Sequence, residues 1–335
     1  MAASYLKTYF AIIILTLLAI GMVNLAIDPL WYGQGNRLTG INPSWNERIA
    51  KTNLFLQHSP QRFDCLIFGT SRTTLLRTEA FKKHHCFNYS FSSAKAEEFV
   101  TYGQFVRQKG ASPKIVYVEI EPDELNYKRK PQAFADVDDP MPRYKAYFFS
   151  WDTFWLSLRT LQQDYPSVRL YDRNFQGIVA EDAPKYSPKF VSETNKPKQC
   201  DLSRLRFFSQ LRQTFPEAQF VGFVAPVSIW YLFNKSYSLG LLNCQLSGIY
   251  QLNQIFDRIY DFAVPSALTM QTDNTYDGNH YYSSVFDQVA DVMEGRNSDI
   301  GILTQQYSLK DYQQTYATEL KAFLFRAGKK SFWRG

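Results

Sequence analysis

Two short segments, far apart in the chain, carry side chains that could together form a serine nucleophile. The segment 69–72 (GTSR) directly follows a short apolar run. A serine at a sharp turn between a strand and a helix is exposed and receives the positive end of the helix dipole. The segment 277–280 (DGNH) places an aspartate three residues before a histidine. In a loop, Asp277 could accept a hydrogen bond from His280 and orient the imidazole to take a proton from Ser71.

Each segment also has an ordinary structural explanation. Thr70 or Ser71 could simply cap a helix that starts at Thr73, and Asp-Gly-Asn is a common turn sequence. Histidine is scarce, with four in the chain. Three of them lie in a predicted linker or at a predicted helix end: His58, His84 and His85. His280 is therefore the histidine whose predicted position, in a loop after a late strand, suits a general base.

Carboxylates and metal ligands suggest other kinds of site. Glu119 and Glu121 share one face of a predicted strand, since side chains two positions apart point the same way. Such a pair could serve a glycosidase; the alternative is that one carboxylate is buried and paired at the strand end while the other is solvated. No Cys-x-x-Cys or Cys/His spacing typical of zinc sites is present. We therefore expect neither a metal nor another cofactor.

The segments around these residues predict an α/β domain. Short apolar strands alternate with amphipathic helices, which is typical of a parallel sheet covered on both faces. The predicted strands are 63–69, 86–91, 114–121, 218–226 and 265–270. The predicted helices are 73–83, 94–110, 146–165, 202–215, 244–263, 283–295 and 309–325. Because ligands of open α/β sheets bind beyond the carboxyl ends of the strands, we expect Ser71 and His280 to meet there.

The composition excludes several classes of protein. The chain has 335 residues, of which 45% are hydrophobic, an ordinary fraction that rules out wholesale disorder. A mean hydropathy of -0.32 excludes a polytopic membrane protein. The net charge of +6 comes from 37 basic and 31 acidic residues spread along the chain. Without a block of like charges, nucleic-acid binding is not expected.

One segment is predicted to cross a membrane. Residues 8–27 form a run of twenty residues without a charge, which matches a hydrocarbon core of about 30 Å. Lys7 precedes the run, and Trp31 and Tyr32 follow it, so we expect the N-terminus in the cytoplasm and the rest outside. The alternative is a cleaved signal peptide. Its apolar region would be shorter, about 7–15 residues, and would end in a small-x-small site that is missing before Asp28.

These observations predict the organisation of the chain. The predicted segments are a cytoplasmic N-terminus (1–7), a transmembrane anchor (8–27), a juxtamembrane arm (28–60), an α/β domain (61–327) and a basic tail (328–335). Residues 123–200 break the alternation and are rich in Tyr, Asp, Pro and Lys. We interpret them as an insertion after the third strand that faces substrate or acts as a lid.

The four cysteines fit an exported domain. All of them follow the predicted anchor, and an even number in an oxidising compartment permits two disulfides. Cys65 and Cys86 are the first candidate pair, because each opens one of two neighbouring predicted strands. Cys200 and Cys244 would then form the second pair. The alternative is four buried free thiols.

Taken together, the two segments resemble a known family, the SGNH (GDSL-like) hydrolase superfamily. FGTSR (68–72) is similar to its nucleophile block, and DGNH (277–280) is similar to its Asp-x-x-His block. The resemblance spans most of residues 62–327. It extends to three further blocks, at 87–94, 115–126 and 221–226. The members that it most resembles in organisation are anchored to the membrane and exported. They are the alginate O-acetylation proteins and the D-alanyl transfer protein of teichoic acid.

The resemblance implies a fold, an activity and a location. The fold is a flavodoxin-like (SGNH-type) parallel sheet with helices on both faces. Ser71 would be the nucleophile, His280 the general base and acid, and Asp277 the residue that orients it. The implied activity is O-acyl or acetyl transfer, or ester hydrolysis, on a cell-envelope or secreted polysaccharide. The implied location is the bacterial cytoplasmic membrane with the main domain outside the cytoplasm, and a multi-pass membrane-bound O-acyltransferase is an implied partner.

The oxyanion hole departs from the pattern of the superfamily. There, a glycine N–H of the second block and an asparagine side chain of the third block assist the nucleophile. Here the second block offers Ser92 and Ser93, and the third offers only Asn126 as an amide. Loss of one such donor costs about 3 kcal/mol of transition-state stabilisation. A non-catalytic scaffold or polysaccharide-binding component of an envelope-polymer assembly machine is therefore the alternative function.

The arginine after the nucleophile has two interpretations. Arg72 could bind a carboxylate or phosphate of a cell-surface polymer, since its planar guanidinium matches both anions. The alternative is a structural ion pair.

Overall fold

The computed structural model describes residues 2–126, 141–191, 200–296 and 299–333. The chain groups into two units, each with its own internal contacts. The smaller unit comprises Met1–Ser59 and Asp138–Asp182, and the larger unit comprises Pro60–Val137 and Ala183–Gly335. Part of the predicted insertion thus groups with the N-terminal segment, and the segment boundaries given above stay a prediction.

The described residues contain both strands and helices. The strands are β1 (Asn42–Pro43), β2 (Cys65–Phe68), β3 (Cys86–Asn88), β4 (Ile115–Glu119), β5 (Arg169–Tyr171), β6 (Gly177–Val179), β7 (Gln219–Val224), β8 (Arg258–Asp261) and β9 (Ile302–Leu303). The helices are α1 (Ala2–Ile27), α2 (Glu47–Leu56), α3 (Ala96–Gln108), α4 (Arg143–Phe148), α5 (Trp151–Leu161), α6 (Leu205–Thr214), α7 (Ile229–Leu232), α8 (Leu242–Gln251), α9 (Ala267–Met270), α10 (Ser283–Met293) and α11 (Leu309–Arg326).

A mostly parallel sheet lies at the centre of the larger unit. In the described residues its strand order is β3-β2-β4-β7-β8-β9. The first five of these strands pair in parallel, and β9 is antiparallel at the edge. Every residue of β2 and β4 is buried, as expected of apolar strands covered on both faces. The predicted mixed α/β architecture with a mostly parallel sheet is confirmed.

The segment 73–83, predicted as one helix, is not a helix. It forms two single 3₁₀ turns, at Thr73–Leu75 and Thr78–Ala80. The side chain of Asn88, in β3, donates hydrogen bonds of 2.8 Å to the carbonyl oxygens of Thr73 and Leu76. Because a neighbouring strand binds these carbonyls, tertiary contacts override the local helical pattern.

The fifth parallel strand lies inside the predicted helix 244–263. That helix is α8, which ends at Gln251, and β8 follows it. The segment 265–270, predicted as a strand, instead contains the short helix α9, which begins with a capping box between Ser266 and Thr269. The run 258–264 (RIYDFAV) is short and, apart from Arg258 and Asp261, apolar, so its periodicity does not distinguish a strand from a helix. Pairing with β7 decides the outcome.

The smaller unit contains an antiparallel sheet of order β1-β5-β6 together with α1, α2, α4 and α5. The predicted helix 146–165 is interrupted here. α4 ends at Phe148, and α5 begins after Ser150, whose hydroxyl oxygen accepts a hydrogen bond of 3.2 Å from the backbone N–H of Thr153. This N-cap starts a new helix and explains the break.

The N-terminal helix α1 is the candidate membrane segment. Within Ser4–Ile27, the most apolar 18-residue window has a mean hydropathy of 2.6, and the helix is long and apolar enough to be a membrane span or a signal sequence. Asp28 follows α1 and has φ +44°. Its carboxylate accepts backbone hydrogen bonds of 2.7–3.0 Å from Tyr32, Gly33 and Gly35.

Both candidate cysteine pairs are joined in the structure. Cys65 and Cys86 are register partners at the starts of β2 and β3, with Cα atoms 4.2 Å apart. Cys200 and Cys244 are joined across a Cα separation of 6.0 Å. The first bridge therefore links the strand that precedes Ser71 to its edge neighbour.

Candidate active site

Ser71, His280 and Asp277 form a continuous hydrogen-bonded line. The Oγ of Ser71 lies 2.8 Å from Nε2 of His280, although 209 positions separate the two residues. Nδ1 of the same imidazole lies 2.7 Å from Oδ2 of Asp277. When Nδ1–H donates to this carboxylate, Nε2 is left with its lone pair toward the serine hydroxyl. This is the arrangement of a serine with an oriented general base.

The charge of Asp277 supports this tautomer. Burial acts to raise the pKa of Asp277, but hydrogen bonds from His280 and from nearby backbone N–H groups outweigh it and hold the pKa below its usual value. Its Oδ1 accepts the backbone N–H groups of Asn279 at 2.8 Å and His280 at 2.7 Å. The carboxylate is therefore ionised at neutral pH, and an ionised carboxylate favours the Nδ1–H tautomer.

The loop around the histidine is held from several sides. The Thr275 hydroxyl donates to the backbone carbonyl of His280 at 2.7 Å and accepts from the backbone N–H of Gly278 at 2.9 Å. The ring of Tyr276 stacks on the imidazole, with centroids 5.5 Å apart and 2° between the planes. Gly278 has φ +81°, and a Cβ there would collide with the ring of Tyr186. These contacts restrict the rotation of the imidazole.

A buried carboxylate holds the serine turn. Glu119, at the end of β4, is fully buried. Its Oε2 accepts hydrogen bonds of 2.6 Å from the backbone N–H of Thr70 and from the hydroxyl of Thr73. Its Oε1 accepts from the Thr70 hydroxyl at 3.1 Å. A Cβ at Gly69 would lie 2.5 Å from Cβ of Thr73, so this tight turn requires glycine.

Arg72 is bound by protein groups on all three of its nitrogens. The residue is 3% exposed. Nε and Nη2 donate to Oδ1 of Asn279 at 2.8 and 2.6 Å. Nη1 pairs with the carboxylate of Glu121 and lies 3.6 Å from Oε1 of Glu119. This geometry fits the structural ion pair, because the guanidinium is buried and directed at the protein rather than at a polymer.

Glu119, which ends β4, and Glu121, which follows that strand, differ from the pair expected from the sequence. Neither is solvated: the side chain of Glu119 is 0% exposed and that of Glu121 is 13% exposed. Burial, together with the nearby Asp123 and Glu119, raises the pKa of Glu121 to about 8, although Arg72 acts to lower it. The expectation of one solvated carboxylate is wrong, because both carboxylates hold the serine turn and its arginine.

The structure describes two of the three candidate oxyanion donors, Ser92 and Ser93. Ser92 and Ser93 follow β3, in a loop whose Phe91 N–H donates to the Gly69 carbonyl at 3.2 Å. This hydrogen bond brings the loop beside the serine turn, so the backbone N–H of Ser92 stays a candidate. Ser93 is exposed and has φ +54°. Asn126 ends the turn Pro122–Asn126, and its side chain lies outside the described residues.

Several residues of the site were not expected from the sequence. Asn279 lies within the DGNH segment. Its position between Asp277 and His280 was the feature of the sequence that could have indicated a role in the site. Glu119 was noted only as half of a carboxylate pair. Thr275 and Tyr276 carry no motif, and only the folded loop reveals their contacts with the histidine.

Metal ligation is absent from the described part of the chain. In residues 2–126, 141–191, 200–296 and 299–333, no group of three or more His, Cys, Asp or Glu side chains could hold a metal ion.

Comparisons with known proteins find similarity to solved structures. No protein-family model matches this chain, and no curated protein matches it. A crystal structure described as a "putative acylhydrolase" from Bacteroides fragilis is similar at 13% sequence identity and a TM-score of 0.33. The match covers 69% of this chain and 84% of the other. Similarity at this level carries no argument about activity.

Proposed function

We propose that this chain is a membrane-anchored serine acyltransferase or esterase of the SGNH type. The observation that carries the proposal is the hydrogen-bonded line from Asp277 through His280 to the hydroxyl of Ser71. Ser71 is partly exposed, and the His280 side chain is 14% exposed. A substrate can therefore approach the serine, while the base is shielded enough to keep its orientation.

The proposed reaction passes through an acyl-enzyme. Nε2 of His280 takes the proton of the Ser71 hydroxyl while Oγ forms a bond to the acyl carbon. The bond from the acyl carbon to the oxygen of the donor breaks, and the imidazolium gives its proton to that oxygen. A sugar hydroxyl or water then gives its proton to Nε2 and attacks the acyl carbon. The bond to Oγ breaks, and Ser71 recovers its proton. Asp277 stays ionised throughout.

The topology of the larger unit supports the SGNH assignment. Numbered along the chain, its five parallel strands have the order 2-1-3-4-5, which is the order of flavodoxin-like folds. Ligands of such folds bind where the strand order reverses, between the first and third of these strands. Ser71 follows β2, the first, and Glu121 follows β4, the third. The proposed nucleophile therefore lies at the expected edge of the sheet.

The proposed substrate and location follow from the family resemblance. We place the chain in the bacterial cytoplasmic membrane with α1 as an uncleaved, single-pass anchor, the N-terminus inside and the larger unit outside. The proposed acceptor is a cell-envelope or secreted polysaccharide. A multi-pass membrane-bound O-acyltransferase is the proposed source of the acyl group. The apolar segment of α1 supports the anchor.

A serine-directed fluorophosphonate probe tests the nucleophile. The full chain is expected to be labelled covalently, and Ser71→Ala is expected to abolish the labelling. Ser203→Ala is a matched control, because Ser203 is exposed and its recorded hydrogen bond uses only the backbone N–H. If the wild-type chain is not labelled, or Ser71→Ala is labelled equally, the enzymatic function is wrong.

The second candidate function is a non-catalytic scaffold that binds an envelope polysaccharide. The third block of the family resemblance (115–126) favours this function. There, Glu119 binds the serine turn and Glu121 pairs with Arg72. These carboxylates accept hydrogen bonds and cannot stabilise an oxyanion as an amide donor does. A chain that binds polysaccharide but gives no labelled Ser71 would support this function and exclude the first.

A further inference from the structure

The end of α1 is part of the folded smaller unit. Asn24 is fully buried, although it lies in the apolar segment. Its Nδ2 donates to the carbonyl of Tyr147 at 2.7 Å, and its Oδ1 accepts from the hydroxyl of Ser157 at 2.9 Å. A Cβ at Gly21 would collide with the ring of Phe148. The last turns of α1 therefore pack directly on α4 and α5.

α5 buries small polar side chains and exposes two tryptophans. Its buried positions are small and polar: Thr153, Ser157 and Thr160. On the opposite side, Trp151 is 67% exposed and Trp155 is 52% exposed. A surface helix in water has the reverse arrangement, with an apolar face toward the core. Small polar residues at the contact and large apolar residues outside are typical of helices packed within a membrane.

α4 continues the same exposed surface with aromatic and basic residues. Tyr144 is 58% exposed, and Phe149, between α4 and α5, is 67% exposed. Arg143 and Lys145 are also exposed. Aromatic rings concentrate at the level of lipid headgroups, and basic side chains there are attracted to anionic lipids. Asp152 is the exposed acidic residue in the first turn of α5, where the helix dipole favours it.

The position of these helices along α1 sets their depth. If the hydrocarbon core ends near Ile27, a rise of 1.5 Å per residue places Asn24 about 4.5 Å and Gly21 about 9 Å inside the core. Tyr147, Phe148 and Ser157 contact α1 at these two levels. Helices that lie in a membrane interface bury their apolar faces by about 5–10 Å. The depth at which α4 and α5 contact α1 therefore agrees with the depth of helices in a membrane interface.

We propose that α4 and α5 form a hairpin embedded in the outer interface of the membrane that α1 spans. The occupant of its exposed aromatic face is the lipid of that bilayer, because the face is continuous with the membrane-spanning helix. The inference rests on the proposed anchoring of α1 and is independent of the chemistry at Ser71. The buried contacts also favour the proposed retention of α1, since cleavage would remove the buried partner of Tyr147 and Ser157.

Spin labels in the full chain test this placement. The native cysteines are paired, so single cysteines can be introduced at Trp155→Cys, Ile14→Cys and Glu217→Cys. The labelled chain is reconstituted in vesicles of phosphatidylethanolamine and phosphatidylglycerol. Ile14 lies in the middle of α1 and reports the bilayer core, and the exposed Glu217 of the larger unit reports water. The measured quantity is the ratio of collisions with oxygen to collisions with a water-soluble nickel chelate.

The expected ratio at Trp155→Cys is several-fold above that at Glu217→Cys and approaches that at Ile14→Cys. A ratio equal to that at Glu217→Cys, with Ile14→Cys in lipid, would overturn the hairpin and leave the anchor standing. Shielding of the Trp155→Cys label from both reagents would mean that a second copy covers the face, which also overturns the proposal. Water exposure at Ile14→Cys would remove the anchor and the hairpin together, whatever the outcome of Ser71 labelling.

Discussion

The guanidinium of Arg72 donates two hydrogen bonds to Oδ1 of Asn279, from Nε at 2.8 Å and from Nη2 at 2.6 Å. Arg72 follows the candidate nucleophile directly, and Asn279 directly precedes the candidate base. The contact thus joins two turns that are 207 positions apart in the chain. Because the ends of the two turns must stay in register for the 2.8 Å contact between Ser71 and His280, we regard Arg72 and Asn279 as positioning residues.

The first prediction concerns this contact. Arg72→Lys is expected to slow fluorophosphonate labelling of Ser71 by about 10- to 100-fold, because lysine lacks the planar fork and a displacement of about 1 Å is that costly. Asn279→Ala should have a similar effect. The double variant should be little slower than either single one, since both remove the same contact.

The control for this prediction is Arg77→Lys, which changes an arginine whose side chain is 33% exposed and paired with Asp287. It should label at the wild-type rate. Additive losses in the Arg72/Asn279 pair would mean that the two residues act independently and that the proposed link does not position the serine.

The second prediction concerns the orientation of the base. Asp277→Asn is expected to lower esterase or transferase turnover by about 10³- to 10⁴-fold, because an amide no longer favours the Nδ1–H tautomer of His280. His280→Ala should lower it at least as much. Steady-state kinetics on a chromogenic acetyl ester measures both, with circular dichroism as the check on folding. A loss of only tenfold in either variant would contradict the proposed roles.

The third prediction concerns the buried support of the serine turn. Glu119→Gln leaves one acceptor oxygen for the three donors of Thr70 and Thr73, so we expect a loss of about 1–3 kcal/mol in the free energy of unfolding. Glu79→Gln is the matched control, since Glu79 is 57% exposed and paired with Arg77, and should cost less than about 1 kcal/mol. Chemical denaturation of the detergent-solubilised chain measures both, and equal losses would refute the special role of Glu119.

The fourth prediction concerns pH. The pKa of Glu121 is about 8 in the folded chain, chiefly because of burial, against 4.5 when unperturbed. Between these values the folded state binds more protons than the unfolded state, so the free energy of unfolding should fall as the pH rises from about 5 to about 8. Glu121→Gln should flatten this part of the profile. A thermal-unfolding series over this range measures it, and an unchanged slope in the variant would show that Glu121 is already ionised.

The strands and helices that could be predicted are those whose patterns are decided locally. The mainly apolar runs at 63–69, 114–121 and 218–226 became β2, β4 and β7, because a short, mainly apolar segment between turn residues is typical of a strand buried in an α/β sheet. The prediction failed at β8 and α9, where a short apolar segment has no local preference. There, pairing with β7 made one segment a strand, and the cap at Ser266 made the next a helix.

By itself, the sequence determined the parts of the candidate site that lie within a few residues of each other. An aspartate three positions before a histidine can reach its Nδ1, and a glycine before a serine allows a tight turn, whatever the rest of the chain does. Only the tertiary structure decided that His280 faces Ser71, that Arg72 binds Asn279, and that Glu119 holds the serine turn. These contacts join residues 46 to 209 positions apart, and strand order and register set such distances through the pairing of the whole sheet rather than through any local pattern.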